Sequence, residues 1–295
     1  MEDISRNLIR ELQQDTMISI AHLGPPGTYA EQAALAYVNW VRQETGQEAI
    51  LCPYSSIAQT LRAVAQDKVD LAVVPVENSI EGSVAITLDT LWQLDTLQIQ
   101  LALVLPISHT LLSYAQSLDH IQTIYSHPQA LGQCQVWLEQ FLPDVQLIPT
   151  NSTTEVLQQL EHDSTKGAIA SLRASQLYNL PILASAINDY PDNCTRFWVI
   201  AQNSSDQGGT HTTLAFSVAA NIPGALVKPL QVFAQRGINL SRIESRPSKR
   251  SLGDYLFFID LEADASSSLV QSALTELSAY TEILKLFGSY NVLPI

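Results

Sequence analysis

The stretch Asn193-Cys194-Thr195-Arg196-Phe197-Trp198-Val199-Ile200 decides how the rest of this chain is interpreted. Turn-forming residues at 191–193 lead into it, and an apolar run with high strand propensity, 197–200, closes it. We therefore expect Thr195 and Arg196 to lie where a loop enters a strand. There the hydroxyl and the guanidinium can project into a cleft while the apolar run is anchored in a core. An ordinary loop-to-strand junction with a half-buried arginine would give the same pattern.

Length and composition limit the classes of protein to which the chain can belong. Its 295 residues predict two domains, and a hydrophobic fraction of 46% is enough to bury a core in each. The net charge of −14 disfavours nucleic acid and anionic membranes as partners, and no apolar run is long enough to span a bilayer. Cys52, Cys134 and Cys194 lack a metal-ligand spacing, and the polar N-terminus lacks a signal-peptide pattern. We expect reduced thiols, no metal site and a cytoplasmic location.

Polar groups follow two apolar strands in the first part of the chain. Strand 18–24 ends in Gly24-Pro25-Pro26-Gly27-Thr28-Tyr29, and a helix is expected from Tyr29 to Arg42. The backbone N–H groups of this turn would form an anion cradle, and a plain connection between strand and helix is the alternative. Strand 71–76 is expected to break at Pro75 and to deliver Glu77-Asn78-Ser79, at the edge where open α/β sheets bind ligands. Ser83 is the expected N-cap of a helix over 84–94.

A second set of strands and helices follows the long apolar strand 97–107. Strand 121–125 leads to Ser126-His127-Pro128-Gln129, which opens a helix with Gln129 and Gln133 on one face. A histidine such as His127 is by itself more often structural than functional. A capped helix over 152–162 and a return through 180–187 complete two βα lobes with two crossings. This layout is typical of a cleft-forming binding fold.

The C-terminal part has a different order of elements. Residues 203–210 are polar and glycine-rich, which is typical of a linker. After them we expect strand 212–219, helix 224–236, strands 238–246 and 254–262, helix 267–280 and strand 282–292. That βαββαβ order predicts a small ferredoxin-like domain.

Taken in order, these motifs resemble those of the prephenate dehydratase family over nearly the whole chain. The resemblance rests on Gly24 to Tyr29, Pro75 to Ser79, Ser126 to Gln129 with Gln133 and Cys134, and Thr195 to Phe197. Downstream, Gly224-Ala225-Leu226-Val227 and Glu244-Ser245-Arg246-Pro247 are similar to the phenylalanine-binding motifs of that family's ACT domain. Ala30 and Gly132 depart mildly from the family pattern, and neither change removes an essential group.

The resemblance implies an α/β fold: a two-lobed catalytic domain, similar to the type II periplasmic binding proteins, followed by a βαββαβ ACT domain. The catalytic domain is expected at 17–203, with lobes at about 17–96 plus 188–203 and at 97–187. A linker at 204–210 and the ACT regulatory domain at 211–295 follow. Only about 17 residues precede the first strand. That length leaves no room for the fused chorismate mutase of some relatives, so we expect a monofunctional enzyme.

The implied reaction converts prephenate to phenylpyruvate, carbon dioxide and water in L-phenylalanine biosynthesis. Loss of the para hydroxyl with the ring carboxylate restores an aromatic ring, so the site must bind two carboxylates and assist one leaving group. No metal, phosphate or redox cofactor is called for. The implied catalytic residues are Thr195, whose hydroxyl would contact the departing oxygen, and Asn78, Ser126 and Gln133. The implied substrate-binding residues are Thr28, Glu77, Ser79, His127, Gln129, Arg196 and Phe197.

Two of these roles stay open at this point. Arg196 either pairs with a substrate carboxylate in a bidentate fork or braces the cleft. Glu77 is either a proton source with a pKa raised by burial or a structural partner of Arg196.

The resemblance also implies feedback by L-phenylalanine, bound between protomers of a homodimer or homotetramer. The implied ligand residues are Asn221, Gly224, Ala225, Leu226, Val227, Glu244, Ser245, Arg246 and Pro247. Arogenate dehydratase, which acts on the amino analogue of prephenate, is one alternative. A non-catalytic amino-acid sensor is another, because two-lobed clefts and ACT domains both bind small metabolites.

Overall fold

Strands and helices alternate along the chain in this computed structural model, which describes residues 17–160, 163–203, 208–218 and 222–295. The first of these ranges contains, in chain order, β1 (Ile18–Leu23), α1 (Tyr29–Thr45), β2 (Ala49–Tyr54), α2 (Ile57–Ala65), β3 (Leu71–Asn78), β4 (Gly82–Ser83), α3 (Ala85–Gln93), β5 (Gln98–Pro106), β6 (His109–Ser113), β7 (Thr123–Ser126), α4 (Pro128–Gly132), α5 (Gln135–Phe141) and β8 (Gln146–Pro149). The later ranges contain β9 (Lys166–Ser171), α6 (Leu172–Tyr178), β10 (Ile182–Ala184), β11 (Cys194–Ala201), β12 (His211–Ser217), α7 (Val227–Ala234), β13 (Leu240–Pro247), β14 (Tyr255–Leu261), α8 (Ser268–Leu277) and β15 (Ile283–Pro294).

The described residues form two compact units, and the first holds the described part of Met1–Val73 together with Ile107–Asn193. In this unit β1 pairs in parallel with β2 and with the beginning of β3. A separate sheet has the strand order β10-β6-β9-β7-β8. Leu111 and Leu112 of β6 point to opposite faces of that sheet and enter two different apolar clusters. Both faces are therefore covered, which explains the continuous apolar runs of its strands.

Helix α1 shows how local sequence sets the ends of an element. Thr28 is its N-cap, with a side chain that accepts the N–H of Glu31. Gly46 ends the helix in the left-handed conformation, with φ of 73°. The helix therefore continues past Arg42, where the sequence predicted its end.

The second unit holds Val74–Pro106 and Cys194–Ile295. Its strands follow the order β13-β14-β12-β15-β5-β11-β3. The last strand, β15, pairs with β12 along its first part and in parallel with β5 from Asn291 onward. β5 in turn pairs with β11 in antiparallel fashion, with Thr195 opposite Leu105. One hydrogen-bonded sheet therefore runs from the C-terminal strands to the strand that carries Thr195.

The C-terminal elements β12, α7, β13, β14, α8 and β15 confirm the predicted βαββαβ order. Their apolar faces share one core, which contains Phe216, Phe233, Ile259 and Leu277, all fully buried. Helix α7 begins at Val227 and not at Gly224, because residues 223–226 form turns before it. The predicted helix start is wrong by three residues.

The predicted helix over 152–162 is wrong in its described part. Turns occupy 151–156 and only the 3-10 turn Leu157–Gln159 follows. The Thr150 hydroxyl donates to the Ser152 carbonyl, and the Asn151 N–H donates to the Glu155 carboxylate. Such local bonds between side chains and backbone compete with helical hydrogen bonds. The last two residues of that prediction lie outside the described residues.

Two further predictions are corrected, and one strand was missed. β3 does not break at Pro75 but continues to Asn78, since the φ of proline is compatible with extended backbone. Ser83 does not cap α3, whose N-cap residue is Val84 without a side-chain bond. Strand β6 was not predicted at all. The predicted domain boundaries at 203 and 211 follow the chain, divide it differently from the two compact units, and stay a prediction.

We expect Ser171→Ala to lower the free energy of unfolding by about 2–4 kcal/mol. The Ser171 Oγ caps α6 by accepting the Ala174 N–H, and it also donates to the buried Gly27 carbonyl over 2.7 Å. The substitution removes the cap and leaves that carbonyl without this donor.

Ser56→Ala is the matched control, because the Ser56 Oγ only accepts the Gln59 N–H at the start of α2. Ser56→Ala should lower the free energy of unfolding by about 1 kcal/mol. Urea unfolding measures both proteins. Equal losses would show that the bond to Gly27 contributes nothing.

Candidate active site

Thr195 and Asn78 form a buried hydrogen-bonded pair where β11 begins and β3 ends. The Asn78 Nδ2 donates to the Thr195 Oγ1 over 3.0 Å, and the two residues are 5% and 8% exposed. The Asn78 Oδ1 accepts the N–H groups of Ile80 and Glu81, each at 3.0 Å, which fixes the orientation of the amide. The Thr195 oxygen is therefore the acceptor in this pair, and its own hydrogen remains for donation to another group.

Ser79 ties the turn after β3 to the first residue of β11. Its N–H donates to the Cys194 carbonyl over 2.9 Å, and the Cys194 N–H donates to the Ser79 Oγ over 3.0 Å. The Asn78 Nδ2 lies 3.2 Å from the same carbonyl. These bonds hold the ends of both strands at one relative position, so Ser79 has a structural contact beside its predicted role in substrate binding.

Arg196 and Glu77 lie on the opposite face of the sheet from Thr195 and Asn78, because side chains alternate along a strand. The Arg196 Nη1 lies 3.7 Å from the Glu77 Oε2 and 3.3 Å from the Asp260 Oδ2. Of the alternatives left open above, this arrangement favours Arg196 as a brace and Glu77 as its partner. Phe197 is only 2% exposed, which places its ring in the core.

A chain of buried polar groups surrounds Gln133 in the first unit. The Gln133 Oε1 accepts from the Asn193 Nδ2 over 2.8 Å and lies 2.9 Å from the His109 Nε2. Because an amide oxygen only accepts, His109 donates from Nε2. Burial lowers the pKa of His109, against the opposing effect of the bond to Gln133. The neutral ring then has an acceptor at Nδ1. The Tyr29 hydroxyl lies 2.9 Å from this atom and 2.8 Å from the Ser108 carbonyl, which are two acceptors within reach of its single hydrogen.

Two N–H groups of the turn before α1, those of Gly24 and Gly27, are not free as the sequence predicted. The Gly27 N–H donates to the Glu31 carboxylate over 2.6 Å, and the Gly24 N–H donates to the Tyr54 carbonyl. The Thr28 hydroxyl donates to the Pro25 carbonyl over 3.0 Å. The anion-cradle prediction is therefore corrected at Gly24 and Gly27, because groups of the chain itself already bind those donors.

Three predicted residues lie at the start of α4. The Ser126 Oγ donates to the Ile169 carbonyl over 2.6 Å and is 1% exposed. His127 is the N-cap, and its Nδ1 accepts the Gln129 N–H over 3.3 Å. Gln129 itself is exposed. His127 thus has a structural contact at this N-cap beside its predicted role in substrate binding.

The predicted effector-binding residues fall into two groups in the second unit. Gly224, with φ of 81°, and Ala225 lie in the turn before α7, Leu226 is its N-cap residue, and Val227 begins the helix. The Ala225 and Val227 N–H groups donate to the Ile222 and Gly224 carbonyls, so these two donors are not free. Asn221 lies outside the described residues.

The second group lies on β13, where side chains alternate. Glu244 accepts from the Ser83 Oγ over 3.0 Å, and Arg246 contacts Asp89 of α3 through two nitrogens at 3.0 and 3.3 Å. Burial acts to raise the pKa of Asp89, but hydrogen bonds from Arg246 and Lys249 outweigh it and lower the pKa. Ser245 and Pro247 are exposed on the other face of the strand.

Members of these groups that were not predicted include Glu31, Asp89, His109, Asn193 and Asp260. Only Glu31 had a local signal, since Thr28 and Glu31 have the spacing of a capping box. The Asp260 partner, Arg196, is 64 positions away in sequence. Within the residues described, no helix is long and apolar enough to cross a membrane. The same residues contain no cluster of three or more His, Cys, Asp or Glu arranged to hold a metal ion.

Comparison with known proteins identifies the family to which these motifs belong. The family model for prephenate dehydratase matches residues 20–205, and the ACT domain model matches residues 212–279. A bifunctional chorismate mutase/prephenate dehydratase of Aquifex aeolicus is 42% identical over 95% of this chain and 75% of that protein. A prephenate dehydratase of Lactococcus lactis is 36% identical over 93% of this chain and 98% of that protein.

A solved structure is also similar to this chain over most of its length. It is a prephenate dehydratase of Arthrobacter aurescens in complex with L-Phe, 33% identical, with a TM-score of 0.82. The match covers 93% of this chain and 90% of that one. Together with the two family models, it confirms the predicted α/β fold class with a C-terminal ACT domain.

The buried His109 makes stability depend on pH in a defined direction. Its pKa is lowered from 6.5 by burial, as is that of His22, so the folded state resists a proton that the unfolded state accepts. As the pH falls below about 6.5, each histidine lowers the free energy of unfolding, by at most about 1.4 kcal/mol per pH unit. We expect His109→Gln to show a smaller decrease than the unmodified chain.

Urea unfolding at about pH 7.5 and pH 5.5 measures this decrease. His22→Gln is the second variant to test, and it should reduce the decrease in the free energy of unfolding between the two pH values by a similar amount. If His109→Gln and the unmodified chain lost the same free energy of unfolding between these pH values, His109 would take up a proton as readily in the folded state as in the unfolded state.

Proposed function

The chain belongs to the prephenate dehydratase family, and from this premise we propose that it converts prephenate to phenylpyruvate with Thr195 as the group that acts on the departing hydroxyl. The bond between the ring and its carboxylate breaks, and carbon dioxide leaves. The electron pair of that bond enters the ring and expels the para oxygen, which leaves as water after it gains a proton. Aromatisation supplies the driving force, so binding, orientation and one donor to the leaving oxygen are sufficient.

The observation that carries this proposal is the Asn78–Thr195 hydrogen bond of 3.0 Å. Because the amide occupies an acceptor site of the hydroxyl, the Thr195 hydrogen is directed to another acceptor, and we assign that acceptor to the leaving oxygen. A threonine hydroxyl is a poor acid. It therefore acts by stabilising the developing charge on the leaving oxygen more than by complete proton transfer.

We assign the other family-motif residues to substrate binding and support of the site. In this proposal Asn78 orients Thr195. Gln133 donates to the substrate from its amide nitrogen, while its amide oxygen accepts from Asn193. The Ser126 hydroxyl donates to Ile169, which makes it a support or an acceptor in our proposal. The remaining assigned residues are Thr28, Glu77, Ser79, His127, Gln129, Arg196 and Phe197, with Arg196 and Glu77 in bracing roles.

Regulation by L-phenylalanine is part of the proposal. The ACT domain model covers residues 212–279, and the similar Arthrobacter protein was solved in complex with L-Phe. We assign the ligand to Asn221, the turn Gly224–Leu226 with Val227, and β13 residues 244–247. Binding between protomers requires at least a homodimer, and a homotetramer is compatible with it. Free Cys52, Cys134 and Cys194 support a cytoplasmic location.

Arogenate is the second candidate substrate, since it differs from prephenate only by an amino group in place of the keto group. Parallel assays with prephenate and arogenate, following phenylpyruvate and phenylalanine, decide between them. Family membership favours an enzyme over a non-catalytic sensor, and turnover of neither compound would contradict that.

We expect Thr195→Ala to lower kcat by on the order of 10²–10³, with a small change in KM, because one preorganised donor to the leaving oxygen is lost. Thr195→Ser keeps the hydroxyl and should retain much of the activity. Steady-state kinetics with prephenate measure all three proteins. Near-normal kcat in Thr195→Ala would reject the assignment of this residue.

We expect Gly224→Val to abolish L-phenylalanine binding in calorimetry and the response of the activity to millimolar L-phenylalanine. A β-branched side chain at φ of 81° is strained, and it would distort the turn before α7. Gly237→Val is the matched control, because Gly237 also has a positive φ, 65°, and open space around it. The control should be destabilised to a similar extent but still bind. Binding retained in Gly224→Val would place the ligand elsewhere.

A further inference from the structure

We propose that Asp260, a residue of the ACT part of the chain, is a positioning residue for the reaction that acts through Arg196. This inference rests on the proposed function of Thr195. Asp260 lies on β14 and is 0% exposed. Its Oδ2 accepts from the Arg242 Nε over 2.9 Å and from the Arg196 Nη1 over 3.3 Å. The carboxylate thus joins a regulatory strand to the residue that follows Thr195.

Every polar atom of this carboxylate has a partner. Its Oδ1 accepts from the Thr213 hydroxyl over 2.7 Å, and that hydroxyl oxygen lies 2.7 Å from the Tyr290 hydroxyl. Because Thr213 has one hydrogen, which it gives to Asp260, Tyr290 must donate to Thr213. A buried carboxylate is tolerated only when charge partners and hydrogen bonds compensate for lost water. The position of Asp260 is therefore fixed from three sides.

Strand β11 is held by this group at two residues of one face. Arg196 and Trp198 point to the same face, since they are two positions apart in a strand. Arg242 and Arg196 both bind the Oδ2 of Asp260. The Arg242 Cζ also lies 5.4 Å from the centroid of the Trp198 ring. Its Nη1 and Nη2 have no hydrogen-bond partner among the described residues, so Asp260 and the Trp198 ring are its specific contacts. A shift of β14 would consequently move the side chains of β11 that lie behind Thr195.

The charges explain why Asp260, and not Glu77, dominates the position of Arg196. Both carboxylates face the same Nη1, but Glu77 is at 3.7 Å, outside hydrogen-bond distance, and its side chain is 30% exposed. The Asp260 side chain is fully buried, where charge interactions are screened less. Two arginines and two carboxylates give the group a formal charge of zero. Removal of the Asp260 charge would leave two cations close together and release Arg196 from its fixed position.

A double-mutant cycle in the full-length chain tests this coupling. Asp260→Asn keeps the shape but removes the charge, and Arg196→Lys keeps the charge but removes the planar guanidinium. We expect each single substitution to lower kcat for prephenate on the order of tenfold, because each releases Arg196 from the same contact. KM should change by less than about twofold. The kcat of the double variant should be no more than about twofold below that of the less active single variant. Losses that multiply, or an unchanged kcat in Asp260→Asn, would overturn the proposal.

The control cycle uses Glu276→Gln with Arg196→Lys. Glu276 is paired with Arg236 over 2.7 Å within the ACT part and, among the described residues, forms no ion pair with β11, so its effect should simply multiply with that of Arg196→Lys. If Asp260→Asn does not fold, Thr213→Val replaces it, because this change removes one bond to Asp260 and leaves both arginines in place. It should lower kcat by a smaller factor and be non-multiplicative with Arg196→Lys. Absence of prephenate turnover by the unmodified chain would refute the proposed function itself, which separates the two failures.

Discussion

The hydrogen bonds between β15 and β5 are the constraint on which the second unit depends. β15 pairs with the ACT strand β12 through His211 to Ser217 and with β5 from Asn291 to Pro294. Since β5 also pairs with β11, the register of Thr195 is connected through the ladder to the C-terminal strands. A slip of one residue would exchange the faces of Thr195 and Arg196 and destroy both of their contacts. The long final strand thus supports the position of β11.

The two faces of β11 separate two kinds of chemistry. On one face a neutral amide and a hydroxyl form a bonded pair, and on the other two carboxylates meet two arginines. A reaction driven by aromatisation needs well-placed neutral donors at the leaving oxygen more than it needs strong acids. Charges that balance each other on the far face fix the position of the strand without adding a net charge to the group.

Much of the fold could be predicted from sequence because its signals are local. The strand formed by the apolar run after Thr195 and Arg196 and the βαββαβ order both follow from residue type and spacing. The helix over 152–162 failed because side chains at 150–155 bind the neighbouring backbone, which periodicity does not register. The Asp260 contacts were not predictable, since a buried aspartate in a strand has no pattern that names an arginine 64 positions away. Motif resemblance pointed to Thr195 and Asn78, and the structure gave the direction of the hydrogen bond between them.

Strand β13 contacts the segment that carries Asn78 through one face and is exposed on the other. Glu244 and Arg246 lie on the face that contacts Ser83 and Asp89, while Ser245 and Pro247 are exposed on the other face. The Asp89 side chain is 11% exposed and has two cationic partners, so this pairing is stronger than that of an ordinary surface ion pair. Ser83 belongs to β4, which pairs directly with Glu77 and Asn78. A ligand that altered the twist of β13 would therefore act on Asn78 through β4 and on Arg196 through Asp260. Regulation requires only that the ligand favour one of two arrangements of these contacts, and a difference of about 1–3 kcal/mol is sufficient.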